Sequence, residues 1–132
     1  MEFVDPATLS EADRALLAAA DDAATRAYAP YSNFLVGAAV RIADGRVFAG
    51  CNVENAAYPV GTCAEPVALS RAVVEGGAAP GGIEAMAINA RPCGGCRQFI
   101  AEFRVGRVLY RREDGTVAVC TPAELLPDTF TF

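Results

Sequence analysis

Thr62-Cys63-Ala64-Glu65 and Pro92-Cys93-Gly94-Gly95-Cys96, about thirty residues apart, set the frame for the rest of the chain. Together they hold three thiols and one carboxyl. Structural zinc is usually closed by four protein ligands, whereas catalytic zinc keeps three and leaves a position for water. The C-x-x-C spacing lets Cys93 and Cys96 reach one ion from a single turn, and Cys63 supplies a third sulfur. Glu65 stands over the open position without being a ligand. The sequence contains no histidine, so the nitrogen alternative is excluded. Each cluster also reads as the start of a helix. Pro66 suits a first helical turn, where a missing N–H costs nothing, and the positive end of a helix dipole favours thiolates. Both helices must then begin at one edge of a shared sheet.

Read alone, the C-x-x-C pair is open to three readings: a redox pair, half of a structural zinc site, or coincidence. A closed structural site needs a fourth ligand, for which Cys51 and Cys120 are the candidates. Both lie in apolar, strand-like surroundings, where a lone Cys behaves as a small hydrophobe. Cys63 with Glu65 at this distance favours catalysis, with one Zn2+ per chain.

The length of 132 residues suits one domain spanning 1–132. Apolar residues make up 53% and charged residues 20%, a globular composition. The net charge of -5, with no Lys and scattered Arg, argues against a nucleic-acid partner. No signal peptide is seen at Met1–Pro6, and no apolar run is long enough for a membrane span. Five cysteines, an odd number, suit a reducing compartment, and cytoplasmic is the expected location.

Further along, Thr8 with Glu11, or Ser10 with Asp13, caps a first helix. Leu16, Ala20, Ala23 and Ala27 form its small-residue stripe, and Pro30 ends it. Leu35–Ile42 and Arg46–Cys51 are strands joined by the Asp44-Gly45 turn. Residues 52–61 form a loop whose Asn52, Glu54, Asn55 and Tyr58 are candidates for hydroxyl recognition. A second helix runs from Cys63 to about Glu75, a strand from Ile83 to Asn89, and a third helix from Gly94 to Phe103 with Phe99, Ile100 and Phe103 facing inward. Val105–Tyr110 and Thr116–Cys120 are strands, and Thr121 caps a short last helix. This order gives an α/β, three-layer α-β-α sandwich around a mixed five-stranded sheet.

Tyr28-Ala29-Pro30-Tyr31-Ser32-Asn33-Phe34, Val36-Gly37-Ala38-Ala39, Asn52-Val53-Glu54-Asn55-Ala56-Ala57-Tyr58, Cys63-Ala64-Glu65, Pro92-Cys93-Gly94-Gly95-Cys96-Arg97-Gln98 and Glu124–Phe130 occur in this order. Over nearly the whole chain these blocks resemble the small zinc-dependent cytidine deaminases of pyrimidine salvage. The resemblance implies that Cys63, Cys93 and Cys96 hold zinc. It implies that Glu65 shuttles protons between the attacking water, the ring nitrogen and the leaving ammonia. Asn52 and Glu54 are then expected on the ribose hydroxyls and Phe34 on the pyrimidine ring, with Tyr58 and Ala64 among the substrate contacts. Phe130 is expected to reach a neighbouring subunit's site, because the family is usually a homotetramer. The implied activity is hydrolytic deamination of cytidine and deoxycytidine, a nucleoside substrate.

Two departures stand out. The family carries Arg after Cys-Ala-Glu, where this chain has Pro66, and Arg97, Arg91 and Arg71 are the candidate replacements. The connection before Pro92 is also several residues shorter. Two rival readings follow: a deaminase of a modified cytosine nucleoside such as blasticidin S, and a catalytically silent zinc-stabilised binding module.

Overall fold

The computed structural model describes residues 1–132. Its elements are β1 (Glu2–Val4), α1 (Glu11–Ala24), β2 (Gly37–Ile42), β3 (Val47–Cys51), α2 (Ala64–Gly76), β4 (Ile83–Ile88), α3 (Gly94–Glu102), β5 (Val108–Arg111), β6 (Val117–Cys120) and α4 (Pro122–Leu125). The sheet runs in the order β1-β6-β5-β4-β2-β3. It is mixed, because β4 and β5 are parallel while every other neighbouring pair is antiparallel.

The sheet has six strands, where five are expected from the sequence. The extra one is β1, which pairs with the edge strand β6 through Glu2 to Val119 and Val4 to Val117. Glu2 and Phe3 are exposed and only Val4 is half-buried. Its strand character therefore comes from the vacant edge of β6 and not from a buried alternating face.

Alternation along the central strands sorts the side chains into two cores. Ala39, Ala85, Ala87, Leu109 and Val117 face Leu16, Leu17 and Ala20 of α1. Val40, Met86, Ile88, Val108 and Tyr110 point the other way, onto Leu69 of α2, Ile100 of α3 and Leu125 of α4. One helix thus covers one face and three cover the other. The α1 face is built from small residues so that the helix can lie close. A Cβ on Gly37 would sit 1.9 Å from the Ala20 carbonyl oxygen, so only glycine fits there. The approach of α2 to β3 is as tight: a Cβ on Gly50 would meet the Ala68 nitrogen at 2.5 Å and the Ala64 oxygen at 2.9 Å.

Ser10, of the two candidate caps, starts α1, its hydroxyl accepting the Asp13 N–H at 3.2 Å. Asp13 is itself buried, held by Arg107 at 2.5 and 2.6 Å and by Arg41 at 3.3 Å. The helix ends at Ala24, not at Pro30. Tyr28 has left it to donate its N–H to the Asn52 carbonyl. Leu35 and Val36 likewise precede β2, and β5 begins at Val108 and not at Val105. On α3, Ile100 is fully buried as expected and Phe103 is partly buried, but Phe99 is 45% exposed and belongs to the outer surface.

Strand direction places the two helix starts together. Both β3 and β4 are antiparallel to β2, so they run in the same direction with β2 between them. The helices α2 and α3 follow β3 and β4, and their N-termini therefore emerge at one end of the sheet. Crevices outside the carboxyl ends of strands are where open α/β sheets place their ligands.

Candidate functional site

Cys63 is the N-cap of α2 and Cys93 the N-cap of α3, and Cys96 lies one turn into α3. The three sulfurs all lie within 4.8 Å of one another. Cys63 Sγ is 3.9 Å from Cys93 Sγ, and Cys93 Sγ is 3.4 Å from Cys96 Sγ. Tetrahedral zinc with Zn–S bonds near 2.3 Å spaces its sulfurs by about 3.8 Å, so the donor set fits. No fourth metal-binding side chain joins the cluster. Cys51 and Cys120 lie outside it, half-buried and buried on their strands.

Glu65 follows Cys63 on the first turn of α2 and is only 3% exposed. Its Oε2 accepts the Cys96 thiol proton at 3.1 Å. Burial pushes the Glu65 carboxyl above its ordinary range, although the Cys96 hydrogen bond opposes this. Burial, with the nearby Glu65 charge, also pushes the Cys96 thiol up. The two N-cap thiols differ. Cys63 is raised by burial. Burial also acts on Cys93, but the Cys96 and Gly95 amides and the adjoining thiols bring it below its ordinary value.

The helix starts account for part of that difference. An N-cap side chain takes hydrogen bonds from the second and third helical residues. After Cys93 those are Gly95 and Cys96, both with N–H groups. After Cys63 they are Glu65 and Pro66, and Pro66 has none.

No arginine makes up the deficit by direct contact. Arg71 donates to the Ala49 carbonyl at 2.6 Å and to Glu75 at 2.9 Å, and Arg91 donates to Glu113 at 3.2 Å. Arg97 bonds the Pro92 carbonyl at 3.1 Å and the Leu125 carbonyl at 3.0 Å. It thereby ties the turn before Cys93 to α4 without touching a sulfur.

A cavity of about 490 Å³ opens beside Cys63, with Asn52, Glu54 and Tyr58 in its wall. Tyr31 and Ser32 also line it, though no role is read for them from the sequence. Glu54 is the single charged residue of the lining. Its Oε1 accepts the N–H groups of Tyr31 at 3.0 Å and Ser32 at 3.1 Å, and its Oε2 accepts the Ser32 hydroxyl. Asn52 is buried and grips the segment before β2, accepting the Val36 N–H and donating to the Phe34 carbonyl, each at 2.8 Å. Asn89, at the end of β4, holds the Gly37 N–H at 2.9 Å and the Leu35 carbonyl at 3.2 Å. Neither Ser32 nor Asn89 carries a sequence signal for this, because each works through partners 22 to 54 positions away.

The remaining candidates are spread out. Ala64 is fully buried on α2, and Tyr58 is 75% exposed at the cavity rim. Phe34 is exposed and does not line the cavity. Phe130 is 70% exposed beside a different hollow of about 650 Å³, against Ala101 of α3 and Pro122 of α4.

A family model described as "Cytidine and deoxycytidylate deaminase zinc-binding region" matches residues 10–112. A cytidine deaminase of Sporosarcina psychrophila is 41% identical over 124 residues, covering 88% of this chain and 89% of its own length. A cytidine deaminase of Mycobacterium tuberculosis is 40% identical over 114 residues, 84% of each chain. The crystal structure of cytidine deaminase from Burkholderia pseudomallei superposes with a TM-score of 0.83 at 43% identity, covering 92% of this chain and all of that one.

Proposed function

Since the chain belongs to the cytidine and deoxycytidylate deaminase family with its zinc-binding region, we propose that it deaminates cytidine and deoxycytidine hydrolytically. The products are uridine or deoxyuridine and ammonia. One observation carries the reading: three converging thiols with the buried Glu65 carboxyl beside them, next to a cavity of nucleoside size.

Cys63, Cys93 and Cys96 hold the zinc, and no protein group takes the remaining position. Bound there, the metal supplies a water acidified from about 15.7 towards about 7, giving a nucleophile at neutral pH. Glu65 holds and moves the protons. Its buried carboxylate takes one from the attacking water at an Oε atom and gives it to the ring nitrogen, then takes the second from the hydroxyl newly added to the ring carbon and delivers it to the departing amine. Burial raises the pKa of this carboxyl above its ordinary range, which makes it a better proton acceptor than an exposed one. Asn52 and Glu54 meet the sugar hydroxyls and Tyr58 flanks the base from the cavity rim, with Ala64 beneath the reacting edge; Phe34, outside the cavity wall without substrate, packs on the ring once the nucleoside is bound. Asn52 keeps one donor and one acceptor position beyond its two bonds to the Phe34–Val36 backbone. A cavity lined by one carboxylate and no cation favours an uncharged nucleoside over a phosphorylated one.

The biological setting is pyrimidine salvage in the cytoplasm, a reading supported by five unpaired cysteines. No helix is long and apolar enough to cross a membrane. The assembly is a homotetramer, in which the exposed Phe130 meets a partner's site and not its own.

The test is turnover by the zinc-loaded protein, followed by ultraviolet absorbance, on cytidine, deoxycytidine, cytosine and blasticidin S. Turnover of the first two is expected. Activity on the antibiotic alone supports the modified-nucleoside reading, for which Pro66 and the short connection before Pro92 are the motive. Zinc binding without turnover of any of the four supports a silent binding module.

A further inference from the structure

The segment from Tyr31 to Val36 has no regular secondary structure, yet side chains hold four of its N–H groups, those of Tyr31, Ser32, Phe34 and Val36, and the carbonyls of Phe34 and Leu35. Asn52 and Asn89 grip its C-terminal half. Its N-terminal half hangs on Glu54, and there Ser32 has a double role. Its hydroxyl donates to Glu54 Oε2, and the same oxygen accepts the Phe34 N–H at 3.0 Å. Asn33, between Ser32 and Phe34, has φ 56°, a left-handed conformation that Asn tolerates better than most residues. That bend brings the Phe34 amide round to the Ser32 oxygen two residues back, as in other hydroxyl-closed turns.

A carboxylate has about four acceptor positions, and this segment fills three of those on Glu54. The free position lies on Oε2, the oxygen shared with Ser32. The hydrogen bonds, that from the Ser32 hydroxyl foremost, hold the Glu54 carboxyl below its ordinary range, so it stays an acceptor.

We propose that Ser32 is a positioning residue for substrate, whose hydroxyl links the sugar-side carboxylate of Glu54 to the backbone that carries Phe34. It rests on the site reading given above. Ser32 aims the free acceptor of Glu54 into the cavity and sets the height of Phe34 in one step, and it touches neither the thiols nor Glu65. Binding of the nucleoside therefore depends on it more than the chemical step does.

The experiment compares wild type, Ser32→Ala, Ser32→Gly and Ser32→Thr as zinc-loaded proteins. It measures KM and kcat on cytidine, titration with the non-reacting nucleoside uridine, zinc content and thermal midpoint. Ser32→Ala and Ser32→Gly are expected to raise KM and weaken uridine binding by about tenfold, the loss that goes with one hydrogen bond to a charged group. The change in kcat is expected to be much smaller, zinc content to hold, and Ser32→Thr, which keeps the hydroxyl, to restore binding. An unchanged KM in both hydroxyl-free variants overturns the proposal. So does a failure of Ser32→Thr to rescue, or a loss confined to kcat or zinc content. A wild-type protein that neither deaminates cytidine nor binds uridine overturns the site reading, and this inference with it.

Discussion

The Cys96 thiol donates to Glu65 Oε2 across 3.1 Å, joining the deepest of the three sulfurs to the one buried carboxyl beside them. Metal binding removes that thiol proton, because zinc takes cysteine as thiolate. The carboxyl then loses this donor and is free for the reacting groups. Glu65→Gln keeps the size and hydrogen-bonding reach of the side chain but cannot carry the proton. It is expected to retain one zinc per chain and to lose about 10²–10⁴-fold in kcat. Metal analysis with steady-state kinetics checks this, and near-normal turnover by the zinc-loaded variant would sink the assignment.

Pro66, third in α2, has no N–H at the position where Cys96, third in α3, has one. Pro66→Ala returns that N–H without adding charge. Partners of metal ligands typically change affinity by about 10–100-fold, so removal of zinc by a chelator is expected to slow, by up to about tenfold. The rate is read from the metal released, independently of turnover. Release at the wild-type rate would mean that the third helical amide does not reach the sulfur.

Asp13 is distant from the thiols in sequence and role, and tests the fold alone. Its carboxylate is buried between Arg107 and Arg41, which reach it from β2 and from the approach to β5. Asp13→Ala leaves the mostly buried Arg41 guanidinium short of one partner. A loss of about 3 kcal/mol is expected, the low end for breaking a buried pair, measured by urea unfolding. A loss under about 1 kcal/mol would rank it with surface ion pairs.

Thiol labelling separates the five cysteines. Once zinc is stripped, the exposed Cys63 and Cys93 are expected to alkylate first. Cys93 leads, because its pKa is lowered while that of Cys63 is raised. Cys120 is buried and its thiol is pushed up to about 11 by desolvation, so it stays protonated and unreacted at neutral pH. Mass spectrometry of timed samples gives the order. Labelling of Cys120 as fast as Cys93 would contradict the placement of β6.

The ligand set is legible in the sequence because its chemistry is local. Two thiols one turn apart, and a carboxyl two residues past a third thiol, retain their meaning wherever the helices lie. Capping is local too, and Thr121, with Glu124 in a capping box, starts α4 as read. What the residues hide is capture by distant partners. The apolar spacing of α1 continues to Ala27, but the Asn52 carbonyl takes Tyr28 out of helical register. The strand β1 exists because β6 has a free edge, and no pattern in Glu2-Phe3-Val4 announces it. The grip of Asn89 on Gly37 spans 52 positions, beyond any motif.

The placement of β2 between β3 and β4 bears on how the protein acquires its metal. The unfolded chain offers an ion only the adjacent Cys93 and Cys96. Cys63 joins them after β3 and β4 have docked on either side of β2, the second by a crossover through α2, and such non-local assembly is slow. Tight metal capture then follows the pairing of β2 with both neighbours, and three-thiolate coordination reports that β3, β2 and β4 are in place. A cobalt ion present during refolding should show its three-thiolate absorption only once β3 and β4 have paired with β2, which makes the metal a clock for that part of the sheet.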